Sequence, residues 1–283
     1  MPNIFLNSKF LEESKASISI NDHGFLYGDG IYETMRTYNG KVWLFNEHLD
    51  RLFNSAKILN LKIPWTRKQI EEWIYELIKK NTNRKSQIAN RNFRIRLTIT
   101  RGNNDFDFFT TKNATILITA KPLIEEEQKK GLKLISFQGE RTVPQAKHLS
   151  QIINIIARQQ ANRKKVDDAV LVDERNYISE CAFSNIFMIK DGMLKTPKLN
   201  NILSGTTRKF ILSFANKILP TKECKIKLKE LYNADEIFLS VTTKGILFVN
   251  QIDRHRIGNG KIGEYTLKIK KIFESKTAYM KNK

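Results

Sequence analysis

The segment from Phe93 to Thr100 alternates strictly between apolar and polar side chains, which is the pattern of a β-strand with one buried face. Such a strand needs neighbours to pair with and a layer that covers its apolar face. Helical spacing is found earlier, from Leu44 to Leu59, where apolar residues fall on one side of a predicted helix. The first part of the chain is therefore predicted to combine strands with amphipathic helices.

Residues typical of turns and helix caps predict further strands and helices around this strand and this helix. Asn39-Gly40 favours a tight hairpin turn, and Thr66 with Gln69 has the spacing of a capping box that opens a second helix. Further strands are predicted at Ile4 to Phe10, Ser17 to Ile20, Ala114 to Ala120, Leu132 to Gln138, Ala169 to Asp173, Tyr177 to Ser179, Asn185 to Lys190 and Glu236 to Ser240. Further helices are predicted from about His148 to Arg163 and after Gly205. Because strands and helices do not alternate regularly, the predicted fold class is α+β.

The 283 residues of the chain are enough for one large domain or two linked ones. The charged stretch from Lys121 to Lys130 interrupts the pattern of strands, which indicates a linker. We therefore predict a small N-terminal α+β domain over residues 1–120, a linker over 121–130 and a larger C-terminal domain over 131–283.

Composition disfavours several classes of protein. No run of about 18 apolar residues is present, so no transmembrane helix is expected. The segment from Met1 to Asn7 lacks a basic region followed by an apolar core, which argues against secretion. Two cysteines are too few for a disulfide framework or a metal cluster. We expect a cytoplasmic protein without a metal and without a membrane partner.

The formal net charge of +20 raises nucleic-acid binding as an alternative function. The basic runs, such as Lys79-Lys80 and Arg163-Lys164-Lys165, are short, dispersed and not interleaved with aromatic residues. A solvated basic surface explains the charge better, with an electrostatic benefit for anionic substrates as a milder possibility. Binding to nucleic acid is therefore kept only as a remote alternative.

Lys147 and Glu180 are the first candidates for chemistry. Lys147 precedes a predicted helix, and Glu180 lies in a strand-rich stretch. A lysine that can lose its proton and a carboxylate that can charge a ring nitrogen are the protein groups that pyridoxal-phosphate chemistry requires. Either residue alone would be an ordinary surface ion, since the chain has 49 lysines and arginines and 29 acidic residues.

Two segments have the character of a phosphate site. Ser204-Gly205-Thr206-Thr207 opens a predicted helix, whose first-turn backbone amides can face an anion. Thr242-Thr243 follows a predicted strand and adds hydroxyl groups. Each segment alone is equally an ordinary helix start or loop, and Arg51 alone is equally a solvated helix residue.

In their order along the chain, these segments resemble the class IV aminotransferases, which are the fold type IV pyridoxal-phosphate enzymes. Tyr27 to Thr34 resembles the opening glycine-rich strand of that family. Glu47 to Leu52 resembles the helix whose arginine, here Arg51, binds the cofactor phosphate. Lys147 falls at the position of the Schiff-base lysine, and Glu180 at the position of the carboxylate that pairs with the pyridine nitrogen.

The resemblance extends over nearly the whole chain. Ser204 to Arg208 and Thr242-Thr243 match the two phosphate-binding loops of the family, and Ile252 to Gly263 resembles its tail motif. Each of these motifs is weak alone, but an ordered set of them is specific.

This resemblance implies a two-domain α+β fold similar to D-amino-acid aminotransferases, with a small α/β sandwich as the N-terminal domain and a larger pseudo-barrel as the C-terminal domain. It implies pyridoxal 5′-phosphate bound between the domains, with Lys147 as Schiff base and proton carrier and Glu180 keeping the ring nitrogen protonated. It also implies a homodimer in which a loop of the partner completes each site. The expected reaction transfers an amino group between an amino acid and a 2-oxo acid.

The motifs leave the subgroup open. Tyr32 to Arg36 and Lys244 to Phe248 depart from the pattern of branched-chain aminotransferases, so that subgroup is disfavoured. Gly28-Asp29-Gly30 is shared with D-amino-acid aminotransferases, but their substrate-binding histidine has no counterpart between His48 and His148.

Aminodeoxychorismate lyase, a relative that produces 4-aminobenzoate and pyruvate, is the alternative within the family. It resembles the chain at Glu33 to Arg36, at Lys147-His148-Leu149 and at Glu180-Cys181. These short matches tilt the choice slightly towards the lyase without deciding it, and transamination stays the primary prediction.

Three arginines are candidates for binding a substrate carboxylate. Arg94, Arg96 and Arg101 lie on or beside the strand that begins at Phe93, and Tyr32 is expected near the substrate. The polar face of an amphipathic strand is an equally good explanation for these arginines.

Overall fold

The chain divides into two compact units. In the computed structural model the backbone is described for residues 2–82, 92–125 and 127–281, and the side chains up to residue 278. The first unit comprises residues 1–124, 146–150 and 277–283, and the second comprises residues 125–145 and 151–276. The boundary at residues 124 and 125 falls inside the predicted linker, and residues 146–150 and the end of the chain belong to the first unit. Residue 126 of the predicted linker lies outside the described residues.

The first unit is built on an antiparallel sheet. Its strands are β1 (Asn3–Leu6), β2 (Lys9–Glu12), β3 (Gly30–Tyr38), β4 (Lys41–Val42), β5 (Phe93–Thr100) and β6 (Thr115–Pro122). Its helices are α1 (His23–Tyr27), α2 (Phe45–Ile58) and α3 (Arg67–Thr82), with a single 3-10 turn at Glu13–Lys15. The strands follow the order β2-β1-β6-β5-β3-β4, and every pair is antiparallel.

The apolar face of β5 forms part of the core of this unit. Its residues at alternate positions are fully buried, namely Phe93, Ile95, Leu97 and Ile99. They pack in one cluster with Leu49 and Leu52 of α2 and with Ile70 and Ile74 of α3. The predicted strand with one buried face and the predicted amphipathic helix are therefore confirmed.

The local turn and cap predictions are confirmed, whereas two predicted strands are wrong. Asn39 and Gly40 have φ angles of 49° and 81°, which fit the tight turn between β3 and β4. The segment from Ile4 to Phe10 is a hairpin and not one strand, because Asn7 and Ser8 take left-handed conformations that reverse the chain. Ser17 to Ile20 forms no strand, and the Ile20 side chain is exposed.

Reciprocal hydrogen bonds cap helix α3 as predicted. The backbone N–H of Thr66 donates to Gln69 Oε1, and the backbone N–H of Gln69 donates to Thr66 Oγ1.

The second unit is built on a nine-stranded mixed sheet. Its strands are β7 (Leu132–Gln138), β8 (Asp168–Val172), β9 (Ile178–Cys181), β10 (Asn185–Lys190), β11 (Met193–Pro197), β12 (Thr221–Cys224), β13 (Glu236–Val241), β14 (Gly245–Ile252) and β15 (His255–Arg256). Its helices are α4 (Ile152–Arg163), α5 (Thr206–Ala215), α6 (Leu228–Tyr232) and α7 (Glu264–Lys281), of which the last continues into the first unit. The strand order is β12-β11-β10-β13-β14-β7-β8-β9, and β15 pairs with β14.

Strand β10 is buried on both faces. Ile186 and Met188 lie in one hydrophobic cluster, and Phe187 and Ile189 lie in another. The Phe187 ring stacks on that of Phe238 in β13, with 4.8 Å between the ring centroids. A sheet of this kind together with the antiparallel sheet of the first unit makes the fold α+β, as predicted.

Helix α4 begins at Ile152, so the prediction that it begins near His148 is wrong. The physical reason is that the preceding residues are extended and pair with β3. Tyr32 N–H donates to the carbonyl of Lys147, and Leu149 N–H donates to the carbonyl of Gly30, both at 2.9 Å. Backbone groups that are used in a sheet cannot start a helix.

No helix in the described part of the chain is both long enough and apolar enough to cross a membrane.

Gly30 permits the pairing between β3 and the segment around Lys147. A Cβ atom at this position would lie 2.7 Å from the carbonyl oxygen of Ile99 and 2.7 Å from Cδ1 of Leu149. We expect Gly30→Ala to lower the free energy of unfolding by about 1–3 kcal/mol, because the backbone of β5 cannot move away without losing its hydrogen bonds. Urea denaturation measures this change.

Gly40→Ala is the matched control for this substitution. Nothing lies within 4 Å of a Cβ atom at that position, so only the cost of its positive φ is expected, about 1 kcal/mol. Equal losses in the two variants would show that the close packing at Gly30 does not matter.

Candidate active site

Lys147 is held by hydrogen bonds of its backbone within the first unit. Its carbonyl accepts the bond from Tyr32 N–H in β3, and its own N–H donates to Ser55 Oγ in α2 at 3.0 Å. Ser55 is fully buried, and its hydroxyl donates to the carbonyl of Arg51 at 2.8 Å. A single hydroxyl therefore connects the backbone of Lys147 with the helical turn that carries Arg51.

The side chains of Lys147 and Arg96 both lie against the ring of Tyr32. The Lys147 Nζ is 4.5 Å from the ring centroid, and the Arg96 guanidinium carbon is 3.7 Å from it. Both distances allow cation–π attraction, which orients the two cations around one aromatic ring. The structure thus brings Lys147 together with Tyr32 and Arg96, two of the residues predicted to bind the substrate.

Arg51 is fixed by a buried carboxylate that the sequence reasoning did not select. Glu33 in β3 receives bonds from Arg51 Nε and Nη2, each at 2.7 Å, and its Oε2 lies 2.7 Å from His48 Nδ1. Glu33 and His48 are fully buried, and Arg51 is nearly so. Two parallel bonds hold the guanidinium plane in one orientation.

The charges of this cluster oppose the cost of its burial. Burial alone raises the pKa of Glu33, but the charge and hydrogen bonds of Arg51, with those of His48, outweigh it and lower the pKa to about 2. Burial lowers the pKa of His48, and the positive charges of Arg51 and Lys147 lower it further against the opposing effect of Glu33. The cluster therefore combines an ionised carboxylate, a permanent cation and a neutral imidazole at neutral pH.

Arg94 and Arg96 lie on the polar face of β5, whereas Arg101 is engaged elsewhere. Arg94 is exposed, whereas Arg96 is half-buried. Burial lowers the pKa of the Arg96 guanidinium. Arg101 follows the other end of the strand and is 3% exposed. Its guanidinium donates to Asp29 at 2.6 Å and to the carbonyls of Leu59 and Asn60, which close the end of α2.

Glu180 lies in β9 of the second unit and is surrounded by hydrogen-bond donors. Arg141 Nη1 donates to its Oε1 at 2.8 Å, and Asn185 Nδ2 donates to its Oε2 at 3.0 Å. The backbone N–H of Leu203 is 3.3 Å from both oxygens. The carboxylate is 5% exposed, so its orientation is set by these partners and not by water.

The phosphate-binding candidates of the second unit lie at one end of β10. Thr206 and Thr207 form the first turn of the ten-residue helix α5 and are buried, and Ser204 and Gly205 precede them. Asn185 at the start of β10 lies opposite Ser240 in β13, two residues before Thr242-Thr243.

These donors fit a phosphate. The first-turn amides of a helix such as α5 are not used by the helix's own ladder of hydrogen bonds, and hydroxyls of Thr206 and Thr207 lie beside them. Thr242 and Thr243 form the turn that joins β13 to β14. The donor set of the second unit thus matches a phosphate together with a ring nitrogen that Glu180 can face.

The family model "Amino-transferase class IV" matches residues 30–252 of the chain. The chain belongs to the class IV aminotransferases. This aminotransferase is 36% identical over 280 residues to a Methanocaldococcus jannaschii protein named "Putative branched-chain-amino-acid aminotransferase", with 96% of this chain and 95% of that protein covered. It is 33% identical over 280 residues to a D-alanine aminotransferase of Listeria monocytogenes serotype 4b, with 95% and 94% covered.

The fold agrees with a solved relative. The branched-chain amino acid aminotransferase of T.th., in complex with N-(5′-phosphopyridoxyl)-L-glutamate, superposes on this aminotransferase with a TM-score of 0.89 at 25% identity. The match covers 99% of this chain and 95% of that chain. The aminotransferase has fold type IV, with a small antiparallel sheet and a larger half-barrel sheet, and uses pyridoxal 5′-phosphate. The predicted family, fold and cofactor are confirmed.

The preference against branched-chain relatives is not supported. Names of branched-chain enzymes occur beside those of D-alanine aminotransferases among the relatives of this aminotransferase. That preference was based on two short segments, Tyr32 to Arg36 and Lys244 to Phe248. The similarity to these relatives extends over nearly the whole chain and does not depend on those segments.

Sequence reasoning missed Glu33, His48, Arg141 and Asn185. Three of these residues could have been found from the sequence. Glu33 and His48 lie inside the two N-terminal segments that resemble the family, and Asn185 is only five positions after Glu180. Arg141 carried no signal, because its contact with Glu180 spans 39 positions of the chain.

Removing the charge of Glu33 is expected to destabilise the first unit. Glu33→Gln leaves Arg51 buried without its carboxylate, so we expect the free energy of unfolding at neutral pH to fall by about 3–5 kcal/mol. The folded-state pKa is about 2 against an ordinary 4.5, so the stabilisation by Glu33 is present above pH 4.5 and lost as the pH falls towards 2. Denaturation at several pH values should show a shallower acid-side decline in the variant.

Asp50→Asn provides the control on the same helix. Asp50 pairs with Arg67 at the surface, where both side chains are about half exposed or more, so a change of about 0–1 kcal/mol is expected. A parent-like acid profile in Glu33→Gln would contradict the depressed pKa.

Gly205 allows Asn185 to approach the start of α5. A Cβ atom at position 205 would lie within 2.0 Å of Asn185 Oδ1, so Gly205→Ala must displace the amide that donates to Glu180. We expect weaker retention of pyridoxal phosphate and a lower melting temperature of the apoprotein. The double variant with Asn185→Ala removes the clashing oxygen, so its loss of stability should be smaller than the sum of the single losses. Additive losses would exclude this clash.

Proposed function

We propose that the chain transfers an amino group between an amino acid and a 2-oxo acid, with Lys147 as the residue that binds the cofactor covalently and moves the proton. When bound, pyridoxal phosphate withdraws electrons from the substrate Cα through its ring. When the amino group of the substrate displaces Lys147 from the cofactor, the freed lysine amine would remove the proton from that carbon and return it at the cofactor's reactive carbon. The observation that carries the proposal is the fixed backbone of Lys147, which confines movement to its side chain.

The remaining cofactor contacts divide between two parts of the cofactor, its ring nitrogen and its phosphate. Glu180 is assigned to the ring nitrogen, where a carboxylate keeps the nitrogen protonated. Arg51, Ser204, Gly205, Thr206, Thr207, Thr242 and Thr243 are assigned to the phosphate. The support for this assignment is chemical, since cations, hydroxyls and helix N-terminal amides are the groups that bind phosphate in proteins.

The substrate carboxylate is assigned to the polar face of β5. Arg96 lies there against the ring of Tyr32, and Arg94 lies two residues further along the same face, opposite Arg36 of β3. Arg101 is left out of this role, because its donors are engaged by Asp29 and by two backbone carbonyls. An arginine pair of this kind suits an amino acid with a second anionic group as one of the two substrates.

The two residues that favoured a lyase are buried in the structure. Cys181 belongs to a hydrophobic cluster, and burial raises the pKa of its thiol well above its ordinary value. His148 is 5% exposed. Burial is the property that both residues share, and cleavage of aminodeoxychorismate is retained as an outcome of the test and not as a second function.

Spectra and rates with a panel of amino donors test the proposal. The protein loaded with pyridoxal phosphate should be yellow and form 2-oxo acids from L-leucine, L-glutamate, D-alanine or D-glutamate. Lys147→Ala should lose at least about 100-fold in rate, because it removes the proton carrier. Lys68→Ala, an exposed lysine of α3, should behave as the parent. Pyruvate release from aminodeoxychorismate without amino transfer would establish the lyase instead.

We infer in addition that two copies of the chain associate. Large apolar side chains are exposed on α1 and in the loop between β5 and β6, among them Phe25 at 73%, Phe106 at 84% and Phe109 at 85%. The backbone carbonyl of Asp105 lies 2.5 Å from the His23 ring, so this loop adjoins α1. Exposed apolar patches of this kind mark association surfaces.

Sedimentation analysis tests this association. The parent should sediment as a dimer, and the double variant Phe106→Glu with Phe109→Glu as a monomer, since it places charges in the contact. Exposed Phe183→Glu, in the second unit, should leave the dimer intact. A monomeric parent at micromolar concentration would contradict the inference.

A further inference from the structure

Arg141 forms a buried ion pair with Glu180 that lies outside the residues assigned to the cofactor. Its Nη1 donates to Glu180 Oε1 at 2.8 Å, and the two side chains are only 5% and 6% exposed. The residue belongs to the segment between β7 and Lys147. A buried pair of this type is costly to form, so its presence calls for a specific role or good geometry.

The donors around Glu180 all favour the ionised carboxylate. Burial by itself would favour the neutral carboxyl, because a charge is poorly solvated in the interior. Arg141, Asn185 Nδ2 and the backbone N–H of Leu203 all donate to the carboxyl oxygens and offset this effect. Of these groups only Arg141 brings a positive charge.

We propose that Arg141 is a positioning residue that keeps Glu180 ionised, so that the shared proton stays on the cofactor's ring nitrogen. This inference rests on the proposed role of Glu180. In the loaded protein, Glu180 and the ring nitrogen would share one proton. The charge of Arg141 would favour the state in which the nitrogen holds this proton and Glu180 stays ionised. Without that charge, the balance would move towards a protonated Glu180 and a neutral ring nitrogen.

This role differs from a structural one in its consequences. If Arg141 only tied its own segment to β9, its loss would lower the stability of the apoprotein and leave the electronic state of the bound cofactor unchanged. If it acts through Glu180, its loss must change the same property that Glu180→Gln changes. The visible band of the bound cofactor changes with protonation of the nitrogen that joins it to Lys147, and the pH midpoint of this change depends on the charge of the ring nitrogen.

The experiment compares Arg141→Met, Arg141→Lys, Glu180→Gln and the double variant Arg141→Met with Glu180→Gln, all loaded with pyridoxal phosphate. We expect Arg141→Met to move the midpoint by about one pH unit in the same direction as Glu180→Gln, which is a tenfold change in proton occupancy. Arg141→Lys should restore part of the parent value. The double variant should shift no further than Glu180→Gln alone, because Arg141 then has no carboxylate to act on.

Arg175→Met is the control, since Arg175 is an exposed arginine of the same unit. It should keep the parent midpoint. Melting temperatures of the apoproteins monitor folding, and the double variant avoids a lone buried charge if Arg141→Met is too unstable to purify.

Two results would overturn the inference, and they are distinguishable from failure of the proposed function. If Arg141→Met keeps the pH midpoint of the parent while Glu180→Gln shifts it, the proposed role of Arg141 is wrong and that of Glu180 stands. Additive shifts in the double variant would show that Arg141 acts independently of Glu180. A parent midpoint and parent rate in Glu180→Gln would instead remove the assigned role of Glu180, and this inference with it.

Discussion

The pairing of residues 146–150 with β3 is the constraint on which the candidate active site depends. It places Lys147 beside Tyr32, although the two residues are far apart in the sequence. It also requires the segment to stay extended, and this requirement delays the start of α4. Gly30 allows this close pairing, because a side chain there would contact Leu149 and the carbonyl of Ile99. One glycine thus connects the packing of the first unit to the position of Lys147.

Each unit contains a buried arginine–carboxylate pair, but a different member of the pair is assigned to the cofactor in each unit. In the first unit Glu33 orients Arg51, and the arginine is the group assigned to the cofactor. In the second unit Arg141 lies behind Glu180, and the carboxylate is the group assigned to the cofactor. In each pair one ion holds the other in a single orientation, since a buried charge without its partner costs several kcal/mol, on the order of 3–5. Such pairs set orientation more than they contribute net stability.

Several expectations from the sequence agree with the structure because the responsible interactions are local. The alternation of β5, the Asn39-Gly40 turn and the capping of α3 each depend on residues within a few positions of one another. Arg101 is a contrasting example. On the strand pattern it was as good a candidate as Arg94 or Arg96, but its guanidinium is taken up by Asp29 and the end of α2. Those partners lie about 40 to 70 positions away, and no local pattern identifies them.

The sequence by itself determined the family, the α+β class, the cofactor and the identities of Lys147 and Glu180 as candidates. The family and the cofactor follow from the resemblance of the ordered motifs to known enzymes, and the α+β class follows from hydrophobic periodicity. Both kinds of signal are properties of neighbouring residues. Only the tertiary structure decided which charged groups are buried and with which partners they pair, as Glu33 pairs with Arg51 and Arg141 with Glu180. The physical reason is that burial and ion pairing arise between residues brought together by folding, and both alter a charged group more than its sequence neighbours do.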